Sequence, residues 1–202
     1  MIIKLDELEH YCSSPEEQLR NIQLAFEQIV SLTPEDPTYR PRLALFDSSK
    51  ELQIAISAKS YKGLTEYKSA IAEMLYAFSA FQAHACILVL DSHVKDNDKV
   101  IGECLNLYFI SSEQCHIVQL MYSINNTDVI WLDSDHRFSQ IDLKDHSSVS
   151  NEMVEMLFVF THLDDSPFKP AELLSFYSHE GYQFRSFKEL GISYVDFIST
   201  SP

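Results

Sequence analysis

Glycine is scarce in this 202-residue chain, with only 4 copies. Phosphate-cradling loops and dinucleotide fingerprints need several glycines at fixed spacing so that backbone amides can approach the phosphates, and neither pattern occurs. The four cysteines, Cys12, Cys86, Cys104 and Cys115, form no C-x-x-C pair, which removes the common zinc and disulfide frameworks. G-x-S-x-G is missing, and no cysteine sits in a recognisable nucleophile context. Apolar runs stop well short of the about 18 residues that a membrane span needs. The opening Met1-Ile-Ile-Lys-Leu-Asp-Glu-Leu-Glu9 is too acidic, and its apolar run too short, for a signal peptide. The expectation is a soluble, cytoplasmic protein with reduced thiols, three of which (Cys86, Cys104, Cys115) lie in apolar, strand-like runs.

Positive charge is the other shortage. Lys and Arg total 15 against 30 Asp and Glu, for a formal net charge of -15 and a pI near 4.8. A field of that sign repels phosphate backbones and anionic membranes, so it disfavours direct nucleic-acid or membrane binding and fits a basic protein partner. Acidity that serves solubility alone is the competing account, and a homo-oligomer stays open. What the chain does have is 46% hydrophobic and 12% aromatic residues, enough for a packed core.

Periodicity and punctuation give a fold class. Ser13-Ser-Pro-Glu-Glu17 starts a helix, with Leu19, Ile22, Phe26, Ile29 and Val30 on its apolar face; three prolines between Pro34 and Pro41 then form an extended connector. Arg42–Phe46 and Glu51–Ser57 read as a hairpin around Asp47-Ser-Ser-Lys50. A long apolar helix over Thr65–Ala83 and the continuous run Cys86–Leu90 complete a βα-type unit whose second strand is buried on both faces. The polar residues Asp91–Lys99 read as a loop. Strands over Ile101–Ile110, Cys115–Ile124 and Asp128–Leu132 suggest a meander, with a weaker strand, Phe138–Leu143, pairing with the last of them. A buried helix from about Asn151 to Phe160 and a second from Pro170, stopped by Gly181, make up the C-terminal part.

The fold class expected is therefore α+β: a mostly antiparallel, alternatively mixed, sheet packed on a long central helix, in a single domain over 1–202. Its parts are an N-terminal helix (1–33), the sheet with the central helix (42–143) and a C-terminal helical segment (150–202).

Two functional readings follow. The first is a non-catalytic, acidic protein-binding module, an accessory subunit, inhibitor or immunity-type protein acting on a basic partner, with no metal and no cofactor. Its candidate interface is the aromatic set Phe176, Tyr177, Tyr182, Phe184 and Phe187, because aromatics are enriched at interface hot spots; a second layer of core explains the same residues.

The second reading rests on Asp47 before a strand, Ser57-Ala-Lys59 at the end of the next, and then a helix and another strand. This order resembles that of restriction-endonuclease-like nucleases with their PD-(D/E)XK motif. The resemblance covers about Glu27 to Asp91 and implies a magnesium-dependent or silenced nuclease using Asp47, Lys59 and, on the first helix, Glu27. Ser57 stands where that motif has a metal-binding carboxylate, and a hydroxyl is a poor ligand for a hard cation. Asp133-x-Asp135 fails as a calcium loop, since Phe138 replaces the turn glycine and Lys144 the bidentate glutamate. Asp91, His93, Asp96 and Asp98 lack a fixed ligand spacing.

Overall fold

The computed structural model describes residues 40–49, 51–96, 99–111, 114–125, 128–131, 137–142, 152–161, 163 and 166–186. The expected N-terminal helix, Cys12, Glu27 and Phe187 lie outside these residues. In chain order the elements are β1 (Arg42–Phe46), β2 (Leu52–Ser57), α1 (Gly63–Ala80), β3 (Ala85–Asp96), β4 (Lys99–Ser111), β5 (Gln114–Asn125), β6 (Asp128–Trp131), β7 (Arg137–Asp142), α2 (Glu152–Thr161), α3 (Pro170–Glu180) and β8 (Gln183–Ser186).

The strands form one eight-stranded sheet in the order β6-β5-β4-β3-β1-β2-β8, with β7 also on β5. Every pairing described is antiparallel, so the architecture is α+β with an antiparallel sheet and no parallel pair among the described residues. β1 lies between β2 and β3, so the connection through α1 passes over one intervening strand and leaves β2 and β3 pointing the same way.

The β1–β2 hairpin is closed by Asp47, whose carboxylate accepts from the amides of Ser49 and Glu51 at 2.9 and 3.0 Å. That Asx-type turn is the local chemistry behind the hairpin. In β3, Cys86 through Leu90 are all buried, at 0–3% exposure, as a continuous apolar run requires. Alternate residues face opposite sides of a sheet. Leu43, Leu45, Ile54, Ile56, Leu88 and Ile110 pack in one cluster with Ile71, Met74, Leu75 and Phe78 of α1, Leu157 of α2, and Leu173 and Tyr177 of α3. On the other face Ala44, Phe46, Ala55, Ile87, Leu107 and Phe109 are equally buried. Each large side chain removed from water in this way contributes about 1.5–3 kcal/mol before the entropy of ordering it.

Three expectations are corrected here. The polar stretch after Leu90 is no loop: β3 continues to Asp96 and meets Lys99 across a long hairpin with β4, because backbone pairing and not apolar content sustains those residues as strand. β7 does not pair with β6. It lies along β5 from Gln114 to Gln119, while β6 takes the next length of the same edge from Tyr122 to Asn125. The C-terminal part is not wholly helical, since β8 pairs with the outer edge of β2. α1 ends at Ala80, where Phe81, Gln82 and Ala83 donate back to Ala77, Ser79 and Phe78 and Gln82 takes a positive φ of 50°.

Candidate interaction surface

α3 is set by its ends. Pro170 occupies the first turn and Glu172 accepts from the Lys169 amide at 3.1 Å, satisfying a donor that the helix itself leaves open. Gly181 terminates it in the left-handed conformation, φ 86°, which glycine adopts without a Cβ clash. The chain then turns through Tyr182 into β8, and two tyrosine hydroxyls tie this unit to α1. Tyr177 donates to the carbonyls of Glu73 and Met74 at 2.9 and 3.2 Å. Tyr182 donates to the Glu73 carboxylate at 2.5 Å and approaches the Ala70 carbonyl at 3.3 Å.

Glu73 is the hub of this contact. Besides Tyr182, its carboxylate receives Lys59 at 2.7 Å and Ser69 at 2.9 Å. Lys59 also reaches Glu180 at 3.3 Å and sits 5.3 Å from the centre of the Tyr182 ring. Burial opposes the charge on Glu73, yet the bonds from Lys59, Tyr182 and Ser69 outweigh it and hold its pKa below the usual carboxylate value. Burial likewise opposes the charge on Lys59, but its two carboxylate partners raise its pKa overall. Tyr182 is pushed upward by burial and then by Glu73. The cluster is an anchor between the end of β2, α1, α3 and the turn into β8.

Around the anchor runs a chain of rings. Phe160 of α2 meets Tyr76 of α1 edge-on at 4.8 Å, and Tyr76 meets Phe168 at 5.4 Å. Phe168 stacks on Phe176 at 6.5 Å, and Phe176 approaches Tyr177 and Tyr182 at 6.0 and 6.4 Å. Phe184 closes the chain against Tyr177 at 6.4 Å. Of the aromatic set drawn from the sequence, Tyr177 and Tyr182 are therefore core residues, 0% and 4% exposed. Phe176 and Phe184 are half-buried against that core. Among the described residues the exposed large apolar side chains are Leu64 at the start of α1 (67%), Val159, next to Phe160 (52%), and Phe168 (37%). Neither Val159 nor Phe168 was legible as an interface residue: Val159 belongs to a helix apolar on nearly all sides, and Phe168 to the loop before Pro170.

Asp47 and Lys59 are not brought together. They flank opposite ends of β2, whose six residues span about 20 Å, and each is engaged locally, Asp47 in its turn and Lys59 with Glu73 and Glu180. Ser57 is 1% exposed and opposite Arg42, itself 3% exposed, and its hydroxyl has no hydrogen-bond partner among the described residues. A carboxylate at that position would face a guanidinium and not a free cation site. Among the described residues no three His, Cys, Asp or Glu side chains are grouped to hold a metal ion.

A second polar cluster escaped the sequence. Ser92, Cys104, Asn106 and Gln119 lie on the α1 side of β3, β4 and β5. Gln119 donates to Asn106 at 2.8 Å, Asn106 donates to Ser92 at 2.6 Å, and Ser92 and Cys104 share a bond at 3.2 Å. Their only sequence signal is a set of polar residues at core-facing positions of otherwise apolar strands. Burial raises the Cys104 pKa, with the Ser92 bond opposing and the charge of Asp91 adding to it. Cys115 is pushed up to about 12 by burial, and fully buried Cys86 is raised well above its ordinary value, so all three thiols are inert at neutral pH.

No known protein family, curated protein or solved structure matches this chain. Among the described residues no helix is long and apolar enough to cross a membrane.

Proposed function

We propose that this chain is a non-catalytic, acidic protein-binding module, an accessory subunit or inhibitor whose partner is a basic protein. The observation that carries the reading is a segment that is acidic in sequence and that supplies two exposed apolar side chains. Residues 152–180 hold Glu152, Glu155, Asp164, Asp165, Glu172 and Glu180 against Lys169 alone, and the same segment supplies exposed Val159 and Phe168. Apolar groups set among carboxylates suit a partner that offers cations around an apolar anchor. The engagement of Lys59 with two carboxylates supports the same reading, because it ties the lysine of the alternative nuclease site into the fold. On this reading the protein acts in the cytoplasm as a single unit in which α1 is the common platform of sheet and C-terminal helices.

The test is retention of a partner from host lysate by the tagged full chain at low and high salt, with mass-spectrometric identification. A basic protein held at about 50 mM salt and largely released at about 500 mM is expected, since exposed charges are screened beyond a Debye length of about 4 Å at the higher concentration. Retention of no basic protein at either salt concentration overturns the reading.

A further inference from the structure

We infer that the polar set on the α1 side of β3, β4 and β5 binds an uncharged planar heterocycle whose edge carries adjacent hydrogen-bond donor and acceptor atoms, as a nucleobase or other lactam does. The site consists of Ser92, Cys104, Asn106, Tyr108 and Gln119 of the sheet and Tyr67 of α1, and it does not depend on the protein-binding reading. Register puts the sheet residues on one face. Asn106 lies directly opposite Gln119 and Ser92 opposite Cys104, and hydrogen bonds join all four. Tyr108 is two residues from Asn106 and so shares its face; its strand neighbours Leu88 and Ile117 belong to the core under α1. Tyr67 reaches this face from α1. Its hydroxyl donates to the Asp91 carbonyl at 3.3 Å, and its ring is braced edge-on by Tyr61 at 5.1 Å. Burial and then the neighbouring Tyr61 and Tyr108 push the Tyr67 hydroxyl upward. Burial, with the thiols of Cys115 and Cys104 adding to it, pushes Tyr108 up to about 12. Both phenols therefore keep their protons at neutral pH.

The set leaves hydrogen-bonding capacity unspent. Along the same face Leu88, Leu90, Ile110 and Ile117 are apolar core, and polar groups in such a place cost free energy unless they are bonded. Gln119 gives one N–H to Asn106 and keeps its carbonyl oxygen and second N–H; Asn106 gives one N–H to Ser92 and keeps the other. Tyr108, 6% exposed, makes no hydrogen bond among the described residues. Ser92, Gln119 and Tyr67 are half-buried, so a ligand can reach these groups from outside. Their chemistry selects it. None of the six side chains is ionised, and strand alternation puts the Asp91 side chain on the other face of β3, so a charged ligand would lose hydration without gaining a counter-charge. The open C=O and N–H of a carboxamide match a paired donor and acceptor, the chemistry by which Asn and Gln read adenine. The Tyr67 ring supplies a fixed apolar wall. A few placed polar groups beside an aromatic wall are what small-molecule sites are made of.

The experiment titrates the purified full chain with free uracil and free adenine, read by ligand-detected saturation-transfer NMR. The same two bases with their edge N–H groups methylated, and the corresponding nucleoside monophosphates, serve as controls. The expected result is saturable binding of a free base with a Kd of about 0.1–1 mM, as suits a ligand of so few atoms. The methylated bases, which keep the ring and lose the donors, and the charged nucleotides should bind about tenfold more weakly or not at all. Gln119→Leu should weaken the free base about tenfold and Tyr67→Phe, which keeps the ring, about threefold. Tyr67→Phe keeps the test valid if Gln119→Leu disturbs the strands. Failure of both bases to bind at up to about 5 mM, equal binding of the methylated bases, or indifference to both substitutions overturns the site. Tighter binding of a nucleotide than of its base overturns the uncharged class. All of these outcomes are read on the isolated chain, so they leave the basic-partner reading to stand or fall by the lysate experiment.

Discussion

The strands and helix of residues 42–90 and the α3–β8 unit are held by different means. The first is apolar packing from one side of the sheet to the other: Leu43, Leu45, Ile54, Ile87 and Leu88 are 0% exposed, and residues 40–92 are nearly charge-balanced, with six Lys/Arg against five Asp/Glu. The second contributes three core side chains, Leu173, Tyr177 and Tyr182, and otherwise attaches through hydroxyls, an ion-paired carboxylate and ring edges. Apolar packing is indifferent to pH and salt, whereas the polar attachment depends on protonation states. The two regions should therefore respond differently to the same perturbation.

The largest effect is expected from the apolar side. Leu88→Ala opens a cavity between sheet and α1 and should cost about 2–5 kcal/mol, read as a fall in the urea midpoint for the whole molecule. If it lowers only the hydrogen-exchange protection of a few strands, the apolar region is not the cooperative unit supposed here. Glu73→Gln should cost less, about 1–2 kcal/mol, because the site is partly solvated and Lys59 keeps Glu180. Its signature is local: amides of α3 and β8 lose protection before those of β1 and β3. Loss spread evenly over both regions would erase the distinction.

The pH dependence sharpens the same contrast. Glu73 has a lowered pKa in the fold, so its contribution is present above about its ordinary 4.5 and is lost as pH falls through the folded value. Lys59 and Tyr182 are raised, so their contributions are intact below their ordinary values of 10.5 and 10.0 and are lost as pH rises beyond them. Stability should thus form a plateau between about pH 5 and 10, with an acid limb that Glu73→Gln flattens and an alkaline limb that Tyr182→Phe reduces. Urea midpoints across that range decide it. Tyr177→Phe removes one donor to the α1 carbonyls and should cost about 1 kcal/mol. The smallest effect belongs to Val159→Ser, within about 0.5 kcal/mol of the parent, because that side chain is already half in water; a larger loss would show α2 to be packed on that side as well.

Which parts of this were legible depends on how far apart in the chain their causes lie. The β1–β2 hairpin could be read from Asp47 and its neighbours, and α3 from Pro170 and Gly181, since both are settled by residues within one turn. Cys86–Leu90 announced a strand by being apolar on both faces. β3 beyond Asp91 could not be read, because its polar residues are held by register with β4 and carry no hydrophobic signal. β8 was hidden for the same reason: Gln183 and Arg185 alternate with an aromatic, and only β2, more than a hundred residues earlier, makes them a strand. The anchor at Glu73 joins Lys59, 14 residues away, to Tyr182, 109 residues away. Spacing within a local window contains nothing of that meeting, so the pairing of Lys59 with Glu73 and Glu180 could not be read from the sequence.

The placement of β8 also bears on how the molecule is made. β2 is an apolar strand, Leu52-Gln-Ile-Ala-Ile-Ser57, and the described partner for its outer edge is Gln183–Ser186. About 125 residues must be added before that partner exists, which at about 5–20 residues per second leaves the edge unpaired for roughly 6–25 s of synthesis. During that interval the strand is a template for any other extended chain nearby. The newborn protein is therefore vulnerable to sticking to its neighbours at β2, and the arrival of β8, not assembly of the first hairpin, ends the exposure.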